Sequence, residues 1–306
     1  MVNSRPAAGP GRNGAGTGAA AAGAGGGGEA GELMAAFFPS PVPERRGPGR
    51  TQVKRTVNSC GPPGVPLPAY GMKEPMKPAE LQLLTSLEDR HWWYKERRAI
   101  LARQLRRIPV AGRALDIGAA GGGNTRVLQA HGWQAVALEY SESVADVATA
   151  RGITAIRADA RELPLAPASC GLVTAFDILE HIDEDYLAAA EIARVLRPGG
   201  TALIAVPCDM ALWSAHDDEV GHVRRYSRSG LTAVIQKAGL TVDDVWSWNV
   251  LLRPVVALRR RSSTGSDLDE VPPLVNGALT AIITAERYLP VRSLPGVSIF
   301  LRARKA

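Results

Sequence analysis

The feature that most constrains the fold is a turn of small residues between a predicted strand and a predicted helix. The apolar run at 114–117 contains Asp116, and residues 118–123 then read Gly-Ala-Ala-Gly-Gly-Gly. Small residues let the backbone approach a ligand closely, and the first N–H groups of the helix can bind polar atoms. Such a turn indicates an α/β sheet with a ligand cleft at the carboxyl ends of parallel strands.

Short apolar strands alternate with helical patterns on both sides of this turn. Alternation at this spacing predicts a doubly wound, Rossmann-like α/β fold, with a mostly parallel sheet and helices on both faces. Seven strands are predicted, at 113–117, 134–139, 153–157, 171–176, 201–206, 241–248 and 297–303. Helices are predicted at 124–131, 142–151, 184–196, 229–238 and about 274–288.

Composition divides the chain into two parts. Residues 1–77 are rich in Gly, Ala, Pro and Arg and lack hydrophobic periodicity, so they are predicted to be a disordered tail. A start site assigned too far upstream is the alternative explanation. Residues 78–306 are predicted to form one domain, with insertions at about 208–228 and 249–295 that would line or cover the ligand cleft.

Charge and cysteine content exclude several classes of protein. Arginine clusters give a net charge of +6, but no interleaved aromatics or zinc finger accompany them, so no nucleic-acid partner is expected. Three widely spaced cysteines form neither a disulfide scaffold nor a metal-binding pair. No signal-peptide pattern or bilayer-length apolar run is visible, and we expect a cytoplasmic protein.

An acidic residue closes the second predicted strand. Glu139 comes 23 positions after Asp116, where folds of this kind bind the ribose hydroxyls of a nucleotide cofactor. The pair predicts a cofactor that contains adenosine. A nicotinamide dinucleotide is compatible with these two residues.

Four motifs, in order, resemble those of the class I S-adenosylmethionine (SAM)-dependent methyltransferases. Residues 115–122 resemble the first motif, with Ala120 in place of its middle glycine. Residues 157–160 (Arg-Ala-Asp-Ala), 175–182 (Ala-Phe-Asp-Ile-Leu-Glu-His-Ile) and 194–200 (Arg-Val-Leu-Arg-Pro-Gly-Gly) resemble the later ones. The resemblance covers about 113–206 and implies a seventh strand antiparallel to the others.

The resemblance implies SAM as the methyl donor. The acceptor attacks the methyl group in line, and the enzyme acts mainly by holding both reactants. Glu139 would bind the ribose, and Asp177 would border the transfer cleft. The methionine moiety would face Asp116, Gly118, Ala119 and Gly121, and the adenine would face Asp159 and Ala160.

His181 follows Glu180 at the end of the fourth predicted strand. Its ordinary pKa suits a general base that takes a proton from the acceptor. The segment from Asp177 to His181 also resembles the acid-x-x-Glu-His of ubiquinone-pathway O-methyltransferases, which is associated with a divalent metal. A structural role is the third interpretation, and no metal is expected here.

The loop at 213–227 concentrates polar residues on the side where acceptors enter this fold. His216 and His222 are further candidate bases, and we expect the loop to bind the acceptor or close over it. Arginines there could clamp a phosphate or carboxylate. A surface loop held by salt bridges is the alternative, as is a metal site of His216, Asp217 and His222. The predicted acceptor-binding residues are Trp213, Asp217, Arg224, Arg225 and Tyr226.

Two further segments, one aromatic and one apolar, each have two possible roles. The segment His91-Trp92-Trp93-Tyr94 is either a lid over the cleft or part of a packed helix. Residues 250–261 are apolar with a basic end. They are predicted to cap the site of a hydrophobic acceptor, and peripheral contact with an anionic membrane is the alternative.

The sequence therefore predicts a SAM-dependent methyltransferase that acts on a small-molecule acceptor, hydrophobic or anionic. Oxygen is the expected target atom, ahead of carbon or nitrogen. Two rivals are a non-catalytic SAM-binding module and a nucleotide-dependent oxidoreductase. The oligomeric state does not follow from the sequence.

Overall fold

The computed structural model describes residues 83, 85–110, 112–262 and 271–306. The tail predicted at 1–77 lies outside these residues. The strands are β1 (Arg113–Ile117), β2 (Gln134–Glu139), β3 (Ala155–Arg157), β4 (Cys170–Phe176), β5 (Leu196–Pro207), β6 (Leu240–Trp248) and β7 (Ser298–Lys305). The helices are α1 (Trp92–Leu105), α2 (Gly123–Ala130), α3 (Glu142–Ala150), α4 (Asp185–Val195), α5 (Ala215–Val220), α6 (Arg228–Lys237), α7 (Arg253–Ser262) and α8 (Pro273–Glu286).

All seven strands form one sheet in the order β3-β2-β1-β4-β5-β7-β6. Strand β7 runs antiparallel to both of its neighbours, β5 and β6. The predicted fold class and the antiparallel last strand are therefore confirmed. The strand order reverses between β1 and β4, so the carboxyl ends of these two strands flank the cleft.

Both faces of the sheet are covered, which explains why its central strands are mostly apolar on both sides. One face packs against α4 and α6 through residues such as Leu115, Ile192 and Ile235. The other face packs against α1 and α8, with Leu101 and Phe300 fully buried between them.

Most predicted bounds lie within two residues of the observed ones, and two segments differ by more. Strand β5 begins at Leu196 rather than 201, because Leu196 already pairs with Cys170 before an irregular step in the register. The apolar-basic segment predicted at 250–261 forms α7, which begins at Arg253. Of the helices described, none combines the length and apolar character that crossing a bilayer requires.

Candidate functional site

The glycine turn between β1 and α2 needs glycine for two separate reasons. Gly118 has a φ of +69°, and a Cβ there would lie 1.8 Å from Cδ1 of Ile178. Gly122, the N-cap of α2, has a φ of +81°. Ala120 also adopts the left-handed conformation, with a φ of +48°, although this region favours glycine.

Asp116 lies beneath this turn and is only 1% exposed. Its carboxylate accepts hydrogen bonds from the hydroxyls of Thr174 (2.6 Å) and Thr125 (2.7 Å). Burial raises the pKa of Asp116 to about 6, although these hydrogen bonds oppose the rise. The carboxylate thus ties β1 to β4 and α2 and fixes the turn from below.

Glu139 lies at the carboxyl end of β2, beside the same turn. Its carboxylate accepts the backbone N–H of Ala120, and burial raises its pKa to about 7. The N–H of Gly118 donates to the carbonyl of Leu138 over 2.9 Å. The turn is therefore hydrogen-bonded to β2 and to Glu139, the residue predicted to bind the ribose.

A charged pair that the sequence analysis missed covers the turn from outside. Glu88, from the segment ahead of α1, pairs with Arg151 over 2.5 Å. Arg151 also donates to the carbonyl of Gly121 over 2.8 Å, and a Cβ on Gly123 would lie 1.9 Å from Glu88 Oε1. Because 63 residues separate the two partners, no local pattern could have revealed them.

Asp159 and Ala160 follow β3, at the edge of the sheet. Asp159 accepts hydrogen bonds from Arg161 at 2.7 and 3.1 Å. Burial acts to raise the pKa of Asp159, but Arg161 outweighs it and holds that pKa below its usual range. Ala160 is buried. This carboxylate is therefore ionised and held in place beside the position predicted for adenine.

Asp177 follows β4 with a φ of +58°, and its side chain is 38% exposed. Its Oδ2 lies 2.6 Å from Nη2 of Arg97, which α1 contributes. The guanidinium of Arg97 lies 5.1 to 5.6 Å from four ring centroids, those of Phe300, Phe176, Trp93 and Trp248. Sequence reasoning assigned no role to this buried arginine.

The segment His91–Tyr94 starts α1 rather than forming a separate loop. His91 caps the helix, its Nδ1 accepting the N–H of Trp93. Trp92 is 8% exposed, and its N–H donates to Oδ1 of Asn276 in α8 over 2.9 Å. The sequence predicts either a lid over the cleft or part of a packed helix for this segment, and Trp92 fits the packed helix.

Glu180 lies in a short 3-10 turn (Leu179–His181) just after β4. Its side chain is completely buried, and neither carboxylate oxygen has a hydrogen-bond partner in the described part of the chain. Burial and the charge of Asp177 raise its pKa well above the usual range. Such a carboxyl group is stable only when it is protonated or beside a cation.

His222 is oriented by a buried carboxylate. Its Nδ1 lies 2.7 Å from Oδ1 of Asp217, and its Nε2 lies 3.9 Å from Oε1 of Glu180. In the tautomer whose Nδ1–H donates to Asp217, Nε2 carries the lone pair and faces Glu180. The ring centroids of His181 and His216 lie 4.7 and 6.1 Å from that of His222.

His181 is the second imidazole at this point. Burial, followed by the proximity of His222, lowers the pKa of His181 to about 4. A hydrogen bond to the backbone of Gly221 opposes this shift only in part. His181 is therefore neutral near pH 7 and can offer a lone pair.

Several residues predicted to bind the acceptor instead hold the loop in place. Asp217 accepts two hydrogen bonds from Arg225, at 2.8 and 3.0 Å, and both side chains are buried. The hydroxyl of Tyr226 donates to Asp185 over 2.6 Å, and Arg224 pairs with the same carboxylate. These contacts account for much of the polar cluster without any ligand.

A cavity of about 260 Å³ opens between α7 and the chain ahead of α5. Nε1 of Trp213 donates to Asp218 over 3.2 Å. Arg260 of α7 lies 3.6 Å from Asp217, the carboxylate that contacts His222. The α7 side of the cavity therefore lies next to the His222 site. The lining residues are Ala211, Leu212, Trp213, Arg253, Ala257, Arg260 and Arg261.

Comparison with known proteins places this geometry in context. A family profile described as "Methyltransferase domain" matches residues 115–204. A "Probable S-adenosylmethionine-dependent methyltransferase" of Mycolicibacterium smegmatis is 26% identical over 53% of this chain and 64% of its own length. A demethylmenaquinone methyltransferase of Clavibacter sepedonicus is 33% identical over 40% of this chain and 49% of its own. The chain thus spans less than two thirds of either relative.

Among solved structures, the [4+2]-cyclase SpnF is similar in fold. Its TM-score is 0.51 at 20% identity, over 73% of this chain and 92% of that one. At this level of identity the similarity concerns the fold alone.

Proposed function

We propose, from the premise that the chain carries a class I SAM-dependent methyltransferase domain, that it methylates an oxygen atom of a small-molecule acceptor. SAM is the cofactor of this family. The observation that carries the proposal is His222, held by Asp217 with Nε2 directed toward Glu180 beside the end of β4. A lone pair fixed there can assist removal of a hydroxyl proton.

The cofactor would lie across the carboxyl ends of β1, β2 and β3. Glu139 would accept the ribose hydroxyls, and Asp159 with Ala160 would border the adenine. The backbone of the glycine turn, from Gly118 through Ala119 to Gly121, would face the methionine moiety, with Asp116 supporting it from below. Arg97 fixes the carboxylate of Asp177, and that carboxylate would border the methyl group.

The acceptor would enter between this cleft and α7. The cavity beside Trp213 combines an indole ring with three arginines of α7. Such a wall suits an acceptor that has both an apolar portion and an anionic group. Arg224 and Arg225 do not line this cavity and would act indirectly, by holding Asp185 and Asp217 in place.

Cofactor choice is tested first, by calorimetric titration of the protein with SAM and with NAD. We expect SAM to bind and NAD to give no heat. The variant Glu139→Ala is expected to bind SAM at least about 10-fold more weakly, since the ribose hydroxyls lose their hydrogen bonds to the Glu139 carboxylate. Binding of NAD in preference to SAM would favour an oxidoreductase.

Methyl transfer is tested by release of S-adenosylhomocysteine with a panel of phenolic, enolic and carboxylic acceptors. We expect His222→Gln to lower kcat about 100-fold with unchanged SAM affinity. His131→Gln, at the half-buried C-terminal end of α2 and so at the opposite end of this helix from the glycine turn, serves as the matched control. Binding of SAM without turnover of any acceptor would instead favour a non-catalytic module, and fragmentation of the product by mass spectrometry identifies the methylated atom.

A further inference from the structure

We propose that Glu180, His181 and His222 bind one divalent transition-metal cation of the Zn²⁺ class. This inference deepens the proposed function, and its catalytic part rests on it. With the cation bound, the lone pair of His222 would hold the metal, and the cation would take over from His222 the activation of the acceptor hydroxyl. It departs from the sequence expectation of no metal. Binding of the cation itself is independent of methyl transfer and can be measured alone.

The three side chains converge although they come from two separate segments. One ligand atom of each lies within 4.8 Å of those of the other two. Zn²⁺ bonds nitrogen and oxygen at about 2.1 Å, so the ligand atoms of a tetrahedral site lie about 3.4 Å apart. Glu180 Oε1 and His222 Nε2 lie 3.9 Å apart. Binding of the cation would therefore draw the three side chains slightly closer together.

Glu180 is the residue that most requires such a ligand. Its carboxyl group is fully buried, and both oxygens lack a hydrogen-bond partner within the described residues. A buried polar group without a partner is costly, and an unpaired buried charge more so. A cation between this group and the two imidazoles would satisfy it directly.

The other ring nitrogens of His181 and His222 have the partners that are typical of metal-bound histidines. Such histidines nearly always direct their other ring nitrogen to a carboxylate or a backbone group, which fixes the tautomer. Asp217 occupies this position for His222, and the backbone of Gly221 does so for His181. Arg225 in turn holds Asp217. The lone pairs are thereby directed toward Glu180.

The chemistry of the donors selects the kind of cation. Two imidazoles and one carboxylate match catalytic zinc sites, which keep a fourth position open. Mg²⁺ prefers oxygen ligands and binds poorly to such a set. The acceptor oxygen would occupy the open position.

The reaction step follows from that arrangement. A hydroxyl bound to the cation loses its proton to solvent water, because the cation lowers the hydroxyl pKa. The oxygen then bonds to the methyl carbon of SAM while the carbon–sulfur bond breaks. The bonding pair stays on sulfur, and neutral S-adenosylhomocysteine leaves. In this state the lone pair of His222 binds the cation.

The test measures metal binding by the full-length protein after treatment with EDTA and dialysis. We expect one Zn²⁺ per chain by elemental analysis and calorimetry, and Co²⁺ to give the intense visible absorption of a four-coordinate site. Glu180→Gln and His222→Gln should each weaken Zn²⁺ binding at least about 100-fold, and Asp217→Asn about 10-fold to 100-fold. His131→Gln is the matched control and should bind as the wild type does.

Folding of each variant is checked by circular dichroism, and the wild-type Co²⁺ spectrum tests the site without any substitution. Equal Zn²⁺ binding by wild type and Glu180→Gln, or tighter binding of Mg²⁺ than of Zn²⁺, would overturn the proposal. Methyl transfer at full rate in EDTA would remove the cation's catalytic role and leave the methyltransferase function intact. Stoichiometric Zn²⁺ with no transfer to any acceptor would support the site and contradict the function.

Discussion

Ala120 occupies a backbone conformation that a residue with a Cβ adopts at a cost. Its φ is +48°, and the left-handed region costs L-residues about 1 to 2 kcal/mol. We therefore expect Ala120→Gly to raise the free energy of unfolding by about 0.5 to 1 kcal/mol, since the added flexibility of the unfolded chain offsets part of the gain. Urea denaturation of the variant and the wild type measures this difference in the free energy of unfolding.

The neighbouring Ala119 provides the control for this substitution. It is buried and does not have a positive φ. Ala119→Gly should therefore lower the free energy of unfolding, because it adds flexibility to the unfolded chain and relieves no strain. A loss of stability in both variants would contradict the argument.

Asp116 and Glu139 should make the stability of the SAM-free protein depend on pH. Burial raises their pKa values to about 6 and about 7, whereas in the unfolded chain both titrate near pH 4. The folded state therefore keeps protons that the unfolded state releases, and the free energy of unfolding falls as pH rises from about 4 to about 7.

The variant Glu139→Gln isolates one of these two groups. The glutamine side chain cannot ionise. Between pH 4 and 8 the free energy of unfolding of this variant should therefore fall by up to about 3 kcal/mol less than that of the wild type. Thermal unfolding of the SAM-free proteins across this range measures the difference. Parallel pH profiles would show that the Glu139 carboxylate is not destabilised by burial.

At the scale of helices and strands, the sequence was most informative where structure is local. Strands β1 and β2 have the predicted bounds, because each is a short apolar run closed by a turn or an acid. Periodicity also located α2 to α4 and α6 within one or two residues. These elements carry the residues predicted to bind the cofactor, so the placement of those residues at strand ends and in the turn followed from the sequence.

The remaining contacts of the site join residues far apart in the chain. The Arg97–Asp177 pair, the Glu88–Arg151 pair and the convergence of His222 on Glu180 depend on how α1, α3 and the loop after α5 pack. An arginine that will be buried among aromatic rings has the same local pattern as one on a solvated helix. Sequence spacing alone does not distinguish them.

Helix α8 should control the order of the segment that leads into α7. Glu286, at its end, accepts the N–H groups of Asn249, Val250 and Leu251 at 2.8 to 3.0 Å. Glu286→Ala removes this acceptor from three amides, so we expect a loss of about 2 to 3 kcal/mol. Hydrogen exchange at 249–251 should accelerate.

A matched control is Glu142→Ala, at the start of α3. The Glu142 side chain is 74% exposed and makes one surface pair with Arg157, and such pairs contribute less than about 1 kcal/mol. Equal stability of the two variants, or unchanged exchange at 249–251 in Glu286→Ala, would show that α8 does not order this segment.

At the scale of the whole molecule, the composition of residues 1–77 predicts that they are separable from the domain. We expect a chain that starts at Pro78 to keep the unfolding midpoint and the SAM affinity of the full chain, since the tail has too little apolar content to contribute a core. Thermal unfolding and calorimetry compare the two proteins. A lower midpoint or a weaker SAM affinity would assign residues 1–77 to the folded unit.

The place of β7 between β5 and β6 has a consequence for the order of assembly during synthesis. Among the strands that the structure describes, β6 pairs with β7 alone, and Trp246 and Trp248 pack on Phe300 of β7. A ribosome must therefore add about 50 further residues before β6 can pair, and during that interval a strand with two tryptophans stays unpaired. We therefore expect chains whose synthesis stalls in this interval to aggregate more readily than finished chains.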